Sequence, residues 1–203
     1  MLILVTGFEP FGGESINPAW LAVERLENNF DGAEIKKLLL PVCFGAAGDA
    51  VREAILSHKP DAVIMVGQAG GRKSIAVETT AVNLDNTTCP DNAGDCPVNV
   101  RIREDGPDTL PATIPVDAAC EAINALGVPA ELSSGAGTYV CNHIMYCAFD
   151  TIRAEKMACR AGFIHVPYIP EQAERKNAPS MLLDDMVRAL GAVVRTLIQT
   201  QSA

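Results

Sequence analysis

The stretch "MLILVTGFEPFGGESINPAWLAVERLENNF", residues 1–30, decides the fold. It opens on "LILVTG", a short apolar run ending in glycine, which is the pattern of a buried strand. After a glycine-bearing turn the period changes. Asn17 stands where a helix N-cap belongs, Pro18 takes the first helical position, and apolar residues then recur at helical spacing.

A strand followed by a capped helix is the opening of a β–α alternation, and the chain continues it. Further strands are expected at "IKKLLLP" (35–41), "DAVIMVG" (61–67), "IAVETTAVNL" (75–84), "AELSS" (130–134) and "GFIHVP" (162–167), with helices over 46–58, 116–126, 139–158 and 180–199. That order predicts an α/β fold, a sheet with several parallel neighbours covered by helices on both faces. One segment breaks the rhythm. Residues 85–115, rich in Asn, Asp, Pro and Gly, are too long for a plain connection and read as a functional loop or lid.

The 203 residues suit a single domain over 1–203, and 48% hydrophobic with 20% charged residues is an ordinary globular balance. A formal net charge of −9 leaves no footprint for nucleic acid or an anionic membrane surface, so small or peptide-like partners fit better. The opening lacks a basic n-region, and no apolar stretch approaches the roughly 20 residues needed to cross a bilayer, so the expected location is cytoplasmic. Thiols stay reduced there, and seven cysteines, an odd number, agree. Cys89 and Cys96 lie close enough in sequence to approach across a loop; reduced thiols are the expectation.

Histidine is scarce, at three in the chain, which allows sorting. His58 belongs to the last turn of a predicted helix, where an imidazole suits the helix dipole. His143 lies two residues past Cys141 on one helix, a rotation of about 200° that turns it away from that thiol. His165 sits near the end of an apolar strand, where α/β sheets bind ligands, although a hydrogen-bonded core histidine fits equally. Cys43, Cys120, Cys147 and Cys159 fall in or beside helical patterns and read as small buried hydrophobes.

Cys141 differs, because it follows "SSGAG" and enters a helix in its first turn, where unsatisfied N–H groups and the positive dipole end favour thiolate over thiol. Position alone does not choose between a nucleophile and one more core thiol. A cysteine nucleophile needs an imidazole base and a group to orient it. Glu78 is the best acid candidate, since a carboxylate inside an apolar β-branched strand is costly without a partner; a solvent-facing edge position is the alternative. "GQAGG" lacks the spacing of a dinucleotide fingerprint, and no metal-ligand spacing occurs, so no metal is implied.

Taken in order, "VTGFEPFGG" (5–13), "VGQAGGR" (66–72) with the downstream Glu78, "PDNAG" (90–94), "GAGTYVCN" (135–142) and "GFIHVPYIPEQ" (162–172) resemble the pyroglutamyl peptidase I family of cysteine peptidases across most of the chain. The resemblance implies a three-layer α/β/α sandwich with a twisted, mixed and mostly parallel sheet. It also implies hydrolysis of N-terminal pyroglutamyl residues from small peptides without metal or cofactor, and allows a homo-oligomer, dimer or tetramer. Carried over at matching positions, Cys141 is the nucleophile, His165 the base and Glu78 its acidic partner. Phe8 and Phe11 match aromatic walls of a lactam pocket, Asn17 and Gln68 supporting polar positions, and Tyr139 a closing side chain near the nucleophile. Two departures stand out. Thr79 and Thr88 occupy positions that are basic in the family, the second an arginine that helps hold the oxyanion; Arg72, Lys73, Arg101 or backbone N–H groups are the available substitutes. A catalytically weakened lactam-binding homologue is therefore one alternative, and a phosphorylase-like transferase on a similar fold is the other.

Overall fold

The computed structural model describes residues 1–200. The main sheet has strand order β2-β3-β1-β4-β9-β5-β8. Its strands are β1 (Leu2–Phe8), β2 (Asn29–Phe30), β3 (Ala33–Leu40), β4 (Ala62–Gln68), β5 (Ile75–Glu78), β8 (Ala130–Ser133) and β9 (Arg160–Val166). The β3/β1, β1/β4, β4/β9 and β5/β8 pairs are parallel, while β2/β3 and β5/β9 are antiparallel. The expected mixed, mostly parallel α/β sheet is thus present. A separate two-stranded ribbon pairs β6 (Thr80–Val82) with β7 (Thr109–Pro111).

Strand side chains alternate between faces, and each face has its own helices. Ile3, Val5, Ile64, Val66 and Ile164 pack under α1 (Pro18–Arg25), α3 (Val116–Ala125) and α6 (Leu183–Gln199), through Val23, Ile123, Leu190 and Val193. Leu4, Val63, Met65 and Phe163 pack on the other side, under α2 (Phe44–His58) and α4 (Val140–Ala154), through Val51, Ile55, Ile144 and Met145. From β1 the chain passes over one face to β3, then over the opposite face to β4. The β1/β4 boundary is a topological switch point, and a crevice opens beyond the carboxyl ends of its strands.

Several boundaries differ from the sequence reading for local reasons. The helix predicted from Asn17 stops at Arg25, and Asn29–Phe30 turns back as an edge strand on β3. The single strand read over 75–84 is two strands in two sheets. Thr79 divides them: its N–H donates to Ser133 O at 2.8 Å, beside β5, while its carbonyl accepts from Ala112 N at 2.8 Å, beside the ribbon. A short helix, α5 (Pro170–Lys176), was not anticipated.

The 85–115 segment is anchored at several points. Asp91 accepts hydrogen bonds from Phe44 N at the start of α2 and from Ala93 N and Asp95 N, and Asn92 reaches Glu9 Oε1 and Pro10 O. Burial would raise the Asp91 pKa, but these backbone donors outweigh it and hold it below the ordinary value. The loop is thereby tied to the 9–11 turn at the crevice. Cys89 and Cys96 are exposed free thiols. Cys159 is buried as expected, whereas Cys43, Cys120 and Cys147 are only half-buried, because each lies at a helix end or flank.

Candidate active site

At the carboxyl ends of β1, β4 and β9 lies a cavity of about 480 Å³, lined by Phe8, Phe11, Asn17, Gln68, Tyr139, Cys141 and His165, with Arg72 and Tyr168 among the other walls. Every pocket residue expected from the sequence reaches this cavity. Glu78 does not; it stands behind His165, fully buried.

Sheet register explains the meeting. In β4/β9, Gly67 pairs with His165, and in β9/β5, Ala76 pairs with His165 and Glu78 with Phe163. Residues two apart share a face, so Gly67, His165 and Glu78 all look toward α2 and α4. Glu78 Oε1 lies 2.8 Å from His165 Nδ1. A carboxylate only accepts, so Nδ1 carries the hydrogen and Nε2 is left as the proton acceptor. Arg72 reaches the same Oε1 at 3.6 Å, and Oε2 has no partner.

Cys141 arrives from above. Gly137, at φ +78, makes a turn that non-glycine residues rarely adopt, and Tyr139 is the extended N-cap from which α4 starts. Cys141 is the second residue of that helix, and its sulphur occupies the space left by the missing side chain of Gly67. A Cβ there would stand 2.8 Å from Sγ and 2.8 Å from Phe163. Since Gly67 is the cross-strand neighbour of His165, sulphur and imidazole share one patch of sheet, about one strand spacing (~4.8 Å) wide. Gly67→Ala is accordingly expected to cost about 1–3 kcal/mol of stability and to lower kcat on the order of 10²-fold by displacing the thiol. Urea midpoints and steady-state kinetics on the same preparation check both effects.

Electrostatics correct one expectation. The helix start was expected to favour the thiolate, yet burial first, and the Glu78 carboxylate second, push the Cys141 thiol up to about 12. The resting sulphur is therefore protonated. What the helix start does supply is donors: no side chain caps α4, so its first-turn N–H groups remain open beside the sulphur.

The other walls divide by what their polar atoms already do. Asn17 is committed, donating to Glu9 O and accepting from Ala19 N as the α1 cap, so it shapes the wall. Gln68 Oε1 accepts from Gln172 Nε2 at 3.1 Å, which leaves the Gln68 amide N–H groups for the cavity. Tyr139 donates to Pro90 O and stacks edge-on against Phe44, and Phe8 is both wall and core. Of the basic substitutes considered for Thr88, Arg72 lines the cavity, while Arg101 is tied to Asp108. Sequence reasoning missed Gln172, which is fully buried behind Gln68, and Tyr168. Pro170 at a helix start, with basic residues at 175 and 176 closing the turn, was the available signal. His143 does point away from Cys141, to Asp85 Oδ2 at 2.8 Å.

Known proteins resemble the chain over its full length. A family profile described as pyroglutamyl peptidase matches residues 1–200. Pyrrolidone-carboxylate peptidase 1 of Caldanaerobacter subterraneus subsp. tengcongensis is 45% identical over 203 residues, all of both chains. The pyrrolidone-carboxylate peptidase of Thermococcus onnurineus is 47% identical over 98% of this chain and 100% of its own. Among solved structures, pyroglutamyl peptidase I of Bacillus amyloliquefaciens superposes with a TM-score of 0.92 at 43% identity, covering 97% of this chain and 94% of that one. The pyrrolidone carboxyl peptidase of Thermococcus litoralis gives 0.94 at 35% identity, covering 99% and 94%. With matches spanning essentially its whole length, the chain belongs to the pyroglutamyl peptidase family of cysteine peptidases.

Proposed function

We propose that this enzyme removes N-terminal pyroglutamyl residues from peptides by acyl transfer to Cys141. The observation that carries the reading is the Glu78–His165 pair at 2.8 Å, set in register beside the glycine that seats the Cys141 sulphur. Because the resting thiol is protonated, attack and proton transfer are coupled. The sulphur closes on the pyroglutamyl carbonyl as its proton passes to His165 Nε2, and Glu78 holds the ring in the receptive tautomer. His165 then protonates the departing amine. Water, activated by the same nitrogen, releases pyroglutamate and restores the thiol.

The tetrahedral oxyanion falls to the uncapped first-turn N–H groups of α4, which makes the arginine absent at Thr88 dispensable. Arg72 serves Glu78 instead, countering its buried charge. A neutral five-membered lactam has apolar faces and one amide, suited to Phe8 and Phe11 with the N–H groups of Gln68. Among the described residues, the one carboxylate lining the cavity is Glu14, which is already paired with Lys176 and Arg175, so a charged amino terminus finds no free counter-ion there. Fluorogenic pyroglutamyl, prolyl and alanyl amides test the reading. The pyroglutamyl amide is expected to be turned over at least about 10²-fold better than either, as follows when a site's polar groups are left unpaired by the wrong substrate; preference for the prolyl amide, or lactam binding without turnover, would overturn it.

A further inference from the structure

Outside the crevice, the α2–α4 seam holds a second carboxylate–imidazole–thiol arrangement. Asp85 Oδ2 lies 2.8 Å from His143 Nδ1, the same pairing as Glu78 with His165. Cys147 follows His143 by one helical turn on the same face of α4. A Cβ added at Gly48 of α2 would meet His143 Nε2 at 2.6 Å and Cys147 Sγ at 2.9 Å, so ring nitrogen and sulphur converge on one point of the seam. Asp85 is fixed in turn by paired backbone bonds with Val100, and its Oδ1 is buried without a partner.

Burial alone would lower the His143 pKa, but the Asp85 hydrogen bond and the neighbouring Cys147 outweigh it and raise it to about 10. The ring is thus cationic at neutral pH. Asp85 engages Nδ1, so Nε2 is the ring atom beside the Cys147 sulphur and is placed to pass a proton to a leaving group there.

The sulphur is half-buried and opens into a cleft of about 390 Å³ that is distinct from the crevice. Its charged walls are of both signs. Asp150 is shared between Arg103 and Arg153, whereas Arg52, Asp49 and Glu155 form no ion pair among the described residues. That rim offers one free cation and two free anions to a ligand carrying both carboxylate and ammonium groups.

We propose that Cys147 is a second reactive thiol, a site of mixed-disulfide formation with zwitterionic small disulfides of the cystine type, whose ammonium groups face Asp49 and Glu155 and whose carboxylate faces Arg52, with His143 serving the sulphur. The Cys147 sulphur attacks one sulphur of the disulfide. A new S–S bond forms, the old one breaks, and the electron pair leaves with the second sulphur, which takes the Cys147 proton by way of His143. The small disulfide is the oxidant, and one small thiol is released for each site modified.

The test treats the Cys141→Ser protein with cystine and follows each cysteine by site-resolved mass spectrometry, Cys89 and Cys96 serving as exposed references. Cys147 is expected to be modified at least about tenfold faster than either. His143→Gln is expected to bring it down to their rate without altering theirs. The neutral 2-hydroxyethyl disulfide is expected to show a smaller excess at Cys147. Modification of Cys147 no faster than Cys89 and Cys96 would overturn the proposal. So would an undiminished rate in folded His143→Gln protein. Should that variant not fold, the comparison of the two disulfides decides, and equal excess with both counts against the site.

Discussion

Replacing Cys141 by alanine is expected to lower pyroglutamyl amide hydrolysis by on the order of 10⁴-fold or more, while lactam binding survives. Of the other polar groups on the cavity wall, the Lys176 amine is paired with Glu14. The Tyr139 hydroxyl donates to Pro90 O, and burial first, then the Asp91 charge, raises its pKa to about 12. Cys141 is also marginal to packing: its sulphur fills the niche over Gly67, and the helix that carries it is anchored by Val140, Ile144 and Met145. Losing one sulphur atom is therefore expected to cost only about 1 kcal/mol. Calorimetry with pyroglutamate, beside the fluorogenic assay, checks the separation of binding from turnover.

Glu78→Gln is the second large effect, expected at about 10³–10⁴-fold in kcat with the fold intact. The glutamine amide can present its NH₂ to His165 Nδ1, which forces the ring hydrogen onto Nε2. The ring then cannot accept the thiol proton. Stability should move the other way or hardly at all, because Glu78 is fully buried, one carboxylate oxygen is unpartnered, and Arg72 is 3.6 Å away. Replacing a buried charge by a neutral isostere removes a desolvation cost. A large fall in kcat with an unchanged or raised urea midpoint is the signature; a variant that unfolds would make Glu78 a packing residue instead.

Much of this was legible in the sequence because it is local. Asn17 and Pro18 marked a helix start by their own backbone chemistry, and the apolar runs at 2–7 and 61–67 marked strands by composition. The 200° rotation between Cys141 and His143 separated them without any tertiary information. Non-local features were not legible in that way. The split at Thr79 depends on Ser133 and Ala112 taking its two backbone groups, neither of which is near in sequence. The raised pKa of Cys141, where the helix start alone suggested the reverse, depends on the sheet its sulphur packs against at Gly67 and Phe163 and on the Glu78 carboxylate, none of them near in sequence. Gln172 was missed because α5 spans only seven residues, too few for periodicity to register. The His143–Cys147 spacing is visible in the sequence, but its meaning required Asp85, which follows β6 and is 58 residues from His143.

A covalent intermediate at Cys141 is the central expectation, and rapid-quench intact-mass spectrometry during turnover of a pyroglutamyl ester addresses it directly. A protein species heavier by one pyroglutamyl group, mapped to Cys141, forming within the first turnover and decaying as substrate is exhausted, is the predicted result. Full turnover by Cys141→Ala protein with no acyl adduct on any residue would contradict it.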